Sequence, residues 1–361
     1  MAGDRREERQ GGLRRRMATE GLDAALITHL PNIRYLTGFT GSAALLLVRR
    51  DDAVLFTDFR YATQAPDEVG ESARVEIDAA STWERLHRLC GEAPDDTVGF
   101  EAHALTVRDA GRLKQSVRRT APMGELVEGL RVTKAPEEVA AIAAAADLAT
   151  AALAEVLPTV HPGQTELLVA SRLEAALRRR GSEWHPFQTI VASGPRAALP
   201  HAHTTEREIR PGEFLLLDFG AQVDGYCSDL TRTVVVGGRA DTRQREAYEA
   251  VRAAQARART EIRAGMTGRE ADALARDVLA ARGMADAFGH SLGHGLGLEV
   301  HEAPRLSATA DTILPVGAVV TIEPGFYLPG WGGIRLEDDV VLGPDGPRDL
   351  SDGRTELVEL V

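Results

Sequence analysis

The sequence predicts an α/β domain over residues 1–130 followed by an α+β domain over residues 131–361. Three observations predict it. The first third alternates short apolar runs with amphipathic segments, the texture of strands interleaved with helices. Near residue 130, Thr133-Lys-Ala-Pro136-Glu-Glu sets a proline early in a helix and acids in its first turn, a good helix start. Beyond it the texture changes: seven of the ten histidines lie there, and apolar strand-like runs end in carboxylates. The length of 361 residues fits two domains better than one, and 43% apolar residues suffice for a sizeable core.

In chain order, the arginine-rich first sixteen residues read as a frayed, solvated end leading into a helix, in preference to a binding arm. Residues 24–28 read as a strand. Residues 43–49 and 53–57 read as two more, joined by a polar turn through Arg50, Asp51 and Asp52. Residues 58–65 start a helix, 75–78 and 98–101 are further strands, and 82–89 and 106–117 are helices. The second domain opens with a helix from Pro136 to about Val156, then another over 165–180. The alanine-rich stretch 140–157 is interrupted by Asp147 and Glu155 and reads as a soluble helix. The longest purely apolar run, residues 43–48, falls far short of the roughly 20 residues of a membrane span.

The formal net charge of −12 argues against a nucleic-acid backbone or an anionic membrane as the main partner. Two distant cysteines, Cys90 and Cys227, build neither a disulfide framework nor a CxxC zinc motif. The charged N-terminus lacks the apolar region of a secretory signal, and a cytoplasmic location is expected.

The chemistry concentrates in two hairpins. In residues 215–236, LLLDFGAQVDGYCSDLTRTVVV, two β-type runs flank Gln222-Val-Asp-Gly225, and Asp-Gly is a strong turn signal. Folding about the midpoint of those four residues pairs positions summing to 447. Asp218 then faces Asp229, with Cβ atoms about 5 Å apart. Facing acids repel and cost several kcal/mol each if buried, so a positive charge must sit between them or one must hold a proton. The second hairpin repeats the arrangement: Glu323 and Glu337 are symmetric about Gly330. Four converging carboxylates suit hard or borderline divalent ions such as Mn²⁺ or Co²⁺ better than a thiolate zinc site does. A nitrogen ligand has a source in Phe288-Gly-His290-Ser-Leu-Gly-His294-Gly-Leu-Gly-Leu-Glu-Val-His301-Glu, whose glycines allow close backbone approach. Two such ions generate a nucleophile from water near neutral pH and polarise a carbonyl.

Singly, each residue has a blander reading. A strand-end aspartate is usually a turn or cap residue, and a lone histidine usually lies on the surface or satisfied in the core. Cys227 reads as a small strand residue before it reads as a nucleophile. The stretch GHGLG lacks the spacing of a dinucleotide loop, and neither a P-loop nor a GxSxG elbow is present. The residues alone therefore give a metal site of unstated reaction.

The segments TIVASGPRAALPHAHTTER, LLLDFGAQVDGYCSDLTRT, GHSLGHGLGLEVHE, TIEPGFY and GGIRLEDDVV resemble the metallopeptidases of the pita-bread fold. They are ordered and spaced as in the Xaa-Pro branch of aminopeptidase P and prolidase. LPNIRYLTGFTGS and LFTDFRYATQA resemble the creatinase/prolidase N-terminal domain. The resemblance implies a creatinase-like mixed sheet flanked by helices, then a catalytic domain of two pseudo-two-fold halves. It implies that Asp218 holds one metal, that Asp229 and Glu337 bridge both, and that His294 and Glu323 complete the other. It sets His201 beside the scissile peptide, with His203 as its rival, and His301 against substrate and intermediate. It gives His290 a substrate-side position and Arg335 a place near the metals, and makes Glu323 the proton shuttle. The implied reaction is hydrolysis between an N-terminal residue and a penultimate proline, with two divalent ions, Mn²⁺ first and Co²⁺ or Zn²⁺ as alternatives. The implied partners are small peptides and a second copy of the chain.

Three alternatives stay open. Within the class, a Xaa-Pro dipeptidase acts on shorter substrates than an aminopeptidase. Outside it stand a metal-free binding protein and a creatinase-like amidinohydrolase on the same fold.

Overall fold

The alternating runs of the first third fold into one six-stranded sheet. The computed structural model describes residues 5–78, 81–92, 96–352 and 354–361. The chain divides into two units, Met1–Arg131 and Val132–Val361.

The first unit runs α1 (Arg6–Thr19), β1 (Ala24–Ile27), α2 (Leu30–Thr37), β2 (Leu45–Arg49), β3 (Ala53–Asp58), α3 (Gln64–Val69) and β4 (Arg74–Asp78). It continues with α4 (Thr82–Cys90), β5 (Thr97–Glu101), α5 (Val107–Ser116), β6 (Arg119–Met123) and α6 (Glu128–Arg131). The strand order is β4-β3-β2-β1-β5-β6. β2 runs antiparallel to both neighbours and the other pairs are parallel, so the sheet is mixed as expected. β6 was not foreseen. It contains Pro122 and lies at a sheet edge, where a proline is tolerated.

The N-terminal arginines depart from the expectation of a solvated end; residues 1–4 lie outside the described ones. α1 buries Leu13 and Met17, and its arginines donate to backbone carbonyls. Arg6 reaches Thr37 and Val69, each at 3.0 Å, the last residues of α2 and α3. Arg14 reaches the Arg49 carbonyl at 2.9 Å and Arg16 the Leu126 carbonyl at 2.9 Å. At Thr37 and Val69, helix C-termini present unpaired carbonyls and negative dipole ends, which the long cationic side chain of Arg6 satisfies.

The second unit runs α7 (Pro136–Val156), α8 (Glu166–Arg180), β7 (Ile190–Ser193), β8 (Glu213–Phe219), β9 (Gln222–Val223), β10 (Tyr226–Cys227), β11 (Leu230–Val236), α9 (Thr242–Glu261) and α10 (Gly268–Ala281). It continues with β12 (Gly293–Gly295), β13 (Glu302–Leu306), β14 (Val319–Ile322), β15 (Gly325–Leu328), β16 (Gly332–Arg335), β17 (Asp338–Gly343), β18 (Gly346–Asp349) and β19 (Val358–Leu360). One four-stranded sheet has the order β19-β11-β8-β7, and one five-stranded sheet the order β13-β12-β14-β17-β18.

Each sheet has its own helix pair. Leu153 of α7 and Leu173 of α8 pack with Leu215, Leu217 and Val234. Val251 of α9 and Leu274 of α10 pack with Val320, Ile322 and Val340. Each fully buried leucine contributes on the order of 2 kcal/mol. Among the described residues, α7 with its following turn is the one helix long and apolar enough to cross a membrane. Its alanine face is buried in this core. The two sheets meet where Thr231 forms an isolated antiparallel bridge with Glu337.

A candidate metal centre between the two hairpins

The first hairpin turns one residue later than its sequence suggests, which moves every cross-strand partner by two. Asp224 and Gly225 both have positive φ, 49° and 77°, and occupy the two central positions of the turn. Val223 therefore pairs with Tyr226, and Asp218 pairs with Thr231 instead of Asp229. The error came from centring the turn on four residues when Asp-Gly are its middle two. A shift of two preserves the strand face, whereas a shift of one would have reversed it. Asp229 thus remains a diagonal neighbour of Asp218 on one face.

The second hairpin has the expected symmetry. The ladders β14–β17 and β15–β16 share one register, pairing Ile322 with Asp338 and Gly325 with Arg335. Glu323 and Glu337 fall opposite each other in the gap between those ladders. The bridge at Thr231 then sets this gap against the first hairpin. The Glu337 amide donates to the Thr231 carbonyl at 3.1 Å, and the Thr231 hydroxyl donates to Glu337 Oε2.

His294 enters from β12. Its Nε2 lies 3.5 Å from Glu323 Oε1 and 3.8 Å from Asp229 Oδ2. Ligand atoms of Asp229, His294 and Glu337 all lie within 4.8 Å of one another. His294 Nδ1 sits 3.0 Å from the Gly295 carbonyl, so Nδ1 carries the proton and Nε2 turns its lone pair inward. The flanking glycines are obligatory. A Cβ on Gly293 would stand 2.0 Å from the Thr321 carbonyl oxygen, and one on Gly295 2.0 Å from that of Ala303.

The electrostatics are those of a cation site. Burial, and then neighbouring charge, pushes Asp229 and Glu323 well above the usual carboxylate range. Burial and then Asp218 push Glu337 up to about 8. Burial raises Asp218 too, against the pull of Arg335. Burial, then the His301 charge, lowers His294 to about 4, a neutral imidazole fit for ligation. Asp218 Oδ1 and Asp229 Oδ1 are buried with no hydrogen-bond partner among the described residues. Buried acceptors are normally satisfied. Orphaned carboxylate oxygens in a cluster that also holds a neutral imidazole fit divalent cations with mixed oxygen and nitrogen ligation.

Arg335 is the buried cation of this cluster. It ion-pairs with Asp218, donates from Nη1 to Tyr327 at 2.8 Å and the Pro200 carbonyl at 3.2 Å, and from Nε to Thr231 at 3.1 Å. Most of its donors are thus spent on the protein. Tyr327 lies 2.9 Å from His290 Nε2, whose Nδ1 is 2.8 Å from the Ser291 carbonyl. Tyr327 therefore donates to the unprotonated Nε2. Burial, then Arg335, keeps His290 neutral, near 4. His301 is exposed and its ring meets His294 edge-on, centroids 4.4 Å apart. His201 is exposed and close enough to alter the protonation of Asp218, His290 and His301. His203 is also exposed, and its backbone carbonyl accepts from Arg196.

Sequence reasoning missed Thr231, Thr321, Tyr327 and Asp339. The Thr321 hydroxyl accepts the His294 amide at 3.1 Å, and Asp339 Oδ2 accepts the Asp229 amide at 3.1 Å. The signal was present: Asp229 and Thr231, Thr321 and Glu323, and Arg335, Glu337 and Asp339 are spaced by two, the period of one strand face.

Comparison with known proteins agrees with this geometry. Residues 140–344 match metallopeptidase family M24, and residues 9–133 match the creatinase/prolidase N-terminal domain. An uncharacterized peptidase of Bacillus subtilis, YqhT, is 42% identical, covering 94% of this chain and 96% of that protein. A Xaa-Pro dipeptidase of Pyrococcus furiosus is 33% identical, covering 98% of this chain and all of that protein, 100%. Among solved structures, a Xaa-Pro dipeptidase from Bacillus anthracis superposes with a TM-score of 0.95 at 39% identity, over 98% of this chain and 100% of that one. An X-Pro aminopeptidase from Thermotoga maritima superposes with a TM-score of 0.90 at 33% identity, over 97% and 99%. The second unit has the pita-bread fold that the motifs implied. The chain belongs to metallopeptidase family M24 and carries a creatinase/prolidase N-terminal domain.

Proposed function

We propose that the protein hydrolyses the peptide bond between an N-terminal residue and a penultimate proline. The observation that carries this reading is the convergence of four carboxylates and one neutral imidazole with two unpartnered carboxylate oxygens. Asp218, Asp229, His294, Glu323 and Glu337 would hold two divalent ions, with Asp229 and Glu337 shared. Manganese is the ion proposed first, ahead of cobalt and zinc, because oxygen ligands outnumber the single nitrogen. Such ions lower the pKa of water and polarise a carbonyl oxygen.

The chain's own residues do the rest. The scissile bond is a tertiary amide with no N–H, so its nitrogen must gain a proton to leave. Glu323 carries that proton from the attacking water; its Oε1 faces His294 at 3.5 Å and its Oε2 faces His290 at 4.0 Å. His201 and His301 flank the peptide, His301 on the side of the developing oxyanion. His290, held neutral by burial, lines the substrate side. Arg335 fixes one oxygen of Asp218 and the Tyr327 hydroxyl.

A dipeptidase is the second reading, favoured by the names of the Bacillus anthracis and Pyrococcus furiosus relatives. Manganese-reconstituted protein assayed on Ala-Pro and on Ala-Pro-Ala separates the two. Cleavage of both supports the aminopeptidase reading, cleavage of the dipeptide alone the dipeptidase. Inertness on both, with turnover of a small guanidino substrate, would sink the proposal. We further propose a cytoplasmic homodimer. Two free, buried cysteines support the compartment, and light scattering of the purified protein tests the dimer.

A further inference from the structure

We propose that Glu166 is a positioning residue for His201, fixing the segment that carries it; this rests on the substrate role given to His201 above. Glu166 opens α8, where a first-turn acid ordinarily faces solvent and the helix dipole. Here it is fully buried, 0% exposed. Its N-terminal neighbour Thr165 already caps the helix, accepting the Leu168 amide at 3.1 Å. The carboxylate is therefore free of capping duty.

Both oxygens instead hold the two ends of one surface segment. Oε1 accepts the Ser193 amide at 2.8 Å and the Ser193 hydroxyl at 2.9 Å. Oε2 accepts the Thr205 amide at 3.1 Å and the Thr205 hydroxyl at 2.7 Å. Arg196 Nε shares the two oxygens at 3.3 and 3.2 Å, supplying the counter-charge from inside the segment. The backbone reinforces the clasp: the Glu166 amide donates to Arg207 and the Leu167 amide to Thr205.

Between Ser193 and Thr205 lie a short helical turn, Gly194–Ala198, and then His201. The His201 side chain is exposed and makes no hydrogen bond to a described residue. Its placement comes from its backbone. Ala202 is buried, the Pro200 carbonyl accepts from Arg335, and the segment's ends are pinned at one carboxylate. A free loop of this length would sample many positions for His201, and a displacement of about 1 Å at a reacting centre costs on the order of 100-fold in rate.

The test is a double-mutant cycle on full-length, manganese-reconstituted protein with a Xaa-Pro substrate. Glu166→Gln keeps shape and one acceptor oxygen but turns an N–H toward donors. It should lower kcat/KM by about 10- to 100-fold while bound manganese is unchanged. Glu166→Gln placed on His201→Ala should add no further loss, and Glu166→Asp should recover part of the activity. Amide hydrogen exchange should quicken over residues 194–204 and not at the strands bearing Asp218 and Asp229. Thr205→Val, which removes one hydroxyl only, reads the same cycle at smaller amplitude should Glu166→Gln not fold. Losses that multiply in the double variant, full activity in Glu166→Gln, or unchanged exchange over 194–204 would each overturn the proposal. Wild-type protein inert on Xaa-Pro peptides overturns the functional reading instead, and the exchange measurement then still decides the clasp.

Discussion

Glu337 and Asp338 are neighbours in sequence and both are buried, yet their carboxylates meet opposite surroundings. Asp338 is matched. Its Oδ1 takes Arg232 at 2.8 Å, and its Oδ2 takes Gln255 at 2.6 Å and Arg259 at 3.3 Å. Glu337 shares its face with Asp218, Asp229 and Glu323, and Arg335 is the buried cation beside them. The contrast teaches how a buried acid is read. One that finds its counter-charges inside the protein holds the fold together; a group of acids that outnumbers them is built for charge from outside.

The largest expected effect breaks the unmatched face. Asp229→Ala removes the ligand proposed to be shared and should cut kcat/KM on Xaa-Pro substrates at least about a thousandfold, beyond the roughly 10- to 100-fold typical of outer partners. Stripped of metal, that variant should melt no lower than stripped wild type, because a repelling buried charge has gone. A lower Tm would show that Asp229 is structural.

The matched face should answer in the opposite way. Asp338→Asn leaves Arg232 and Arg259 short of counter-charge inside the protein and should destabilise it by about 3 kcal/mol in urea unfolding. The chains that remain folded should still bind manganese. A variant as stable as wild type that no longer binds metal would dissolve the distinction between the faces.

The smallest effect sharpens the boundary between them. Tyr327→Phe deletes the hydroxyl that links Arg335 to His290 while its ring stays in place. A kcat/KM loss of about tenfold is expected, with full metal content, matching one buried hydrogen bond of about 1.4 kcal/mol. Loss of bound manganese instead would make Tyr327 part of the ligand frame.

Much of this was legible in sequence because acids, histidines and turn residues carry their physics locally. Glu323 and Glu337 could be paired from one glycine-centred symmetry, and the ladders on both sides keep that register. Asp218 and Asp229 could be placed on one face although the turn was centred one residue early, since that shifts the pairing by two and strand periodicity forgives an even shift and no other. What escaped was what depends on distant packing. Nothing local to Arg6, Arg14 and Arg16 shows that backbone carbonyls wait for them far along the chain. Arg335 was placed near the metals, but its pairing with Asp218 needs the two hairpins side by side. Glu166 stands at a helix start in the sequence, and only the fold brings Ser193 and Thr205 onto it.

The central claim is that the unmatched face holds two ions at once. Isothermal titration of manganese into metal-stripped protein tests it most directly, with bound metal counted by elemental analysis. The account predicts about two ions per chain in wild type, neither held firmly in Asp229→Ala, and Xaa-Pro hydrolysis that rises with occupancy. A folded wild-type chain that cleaves Xaa-Pro peptides with no divalent ion bound would contradict it.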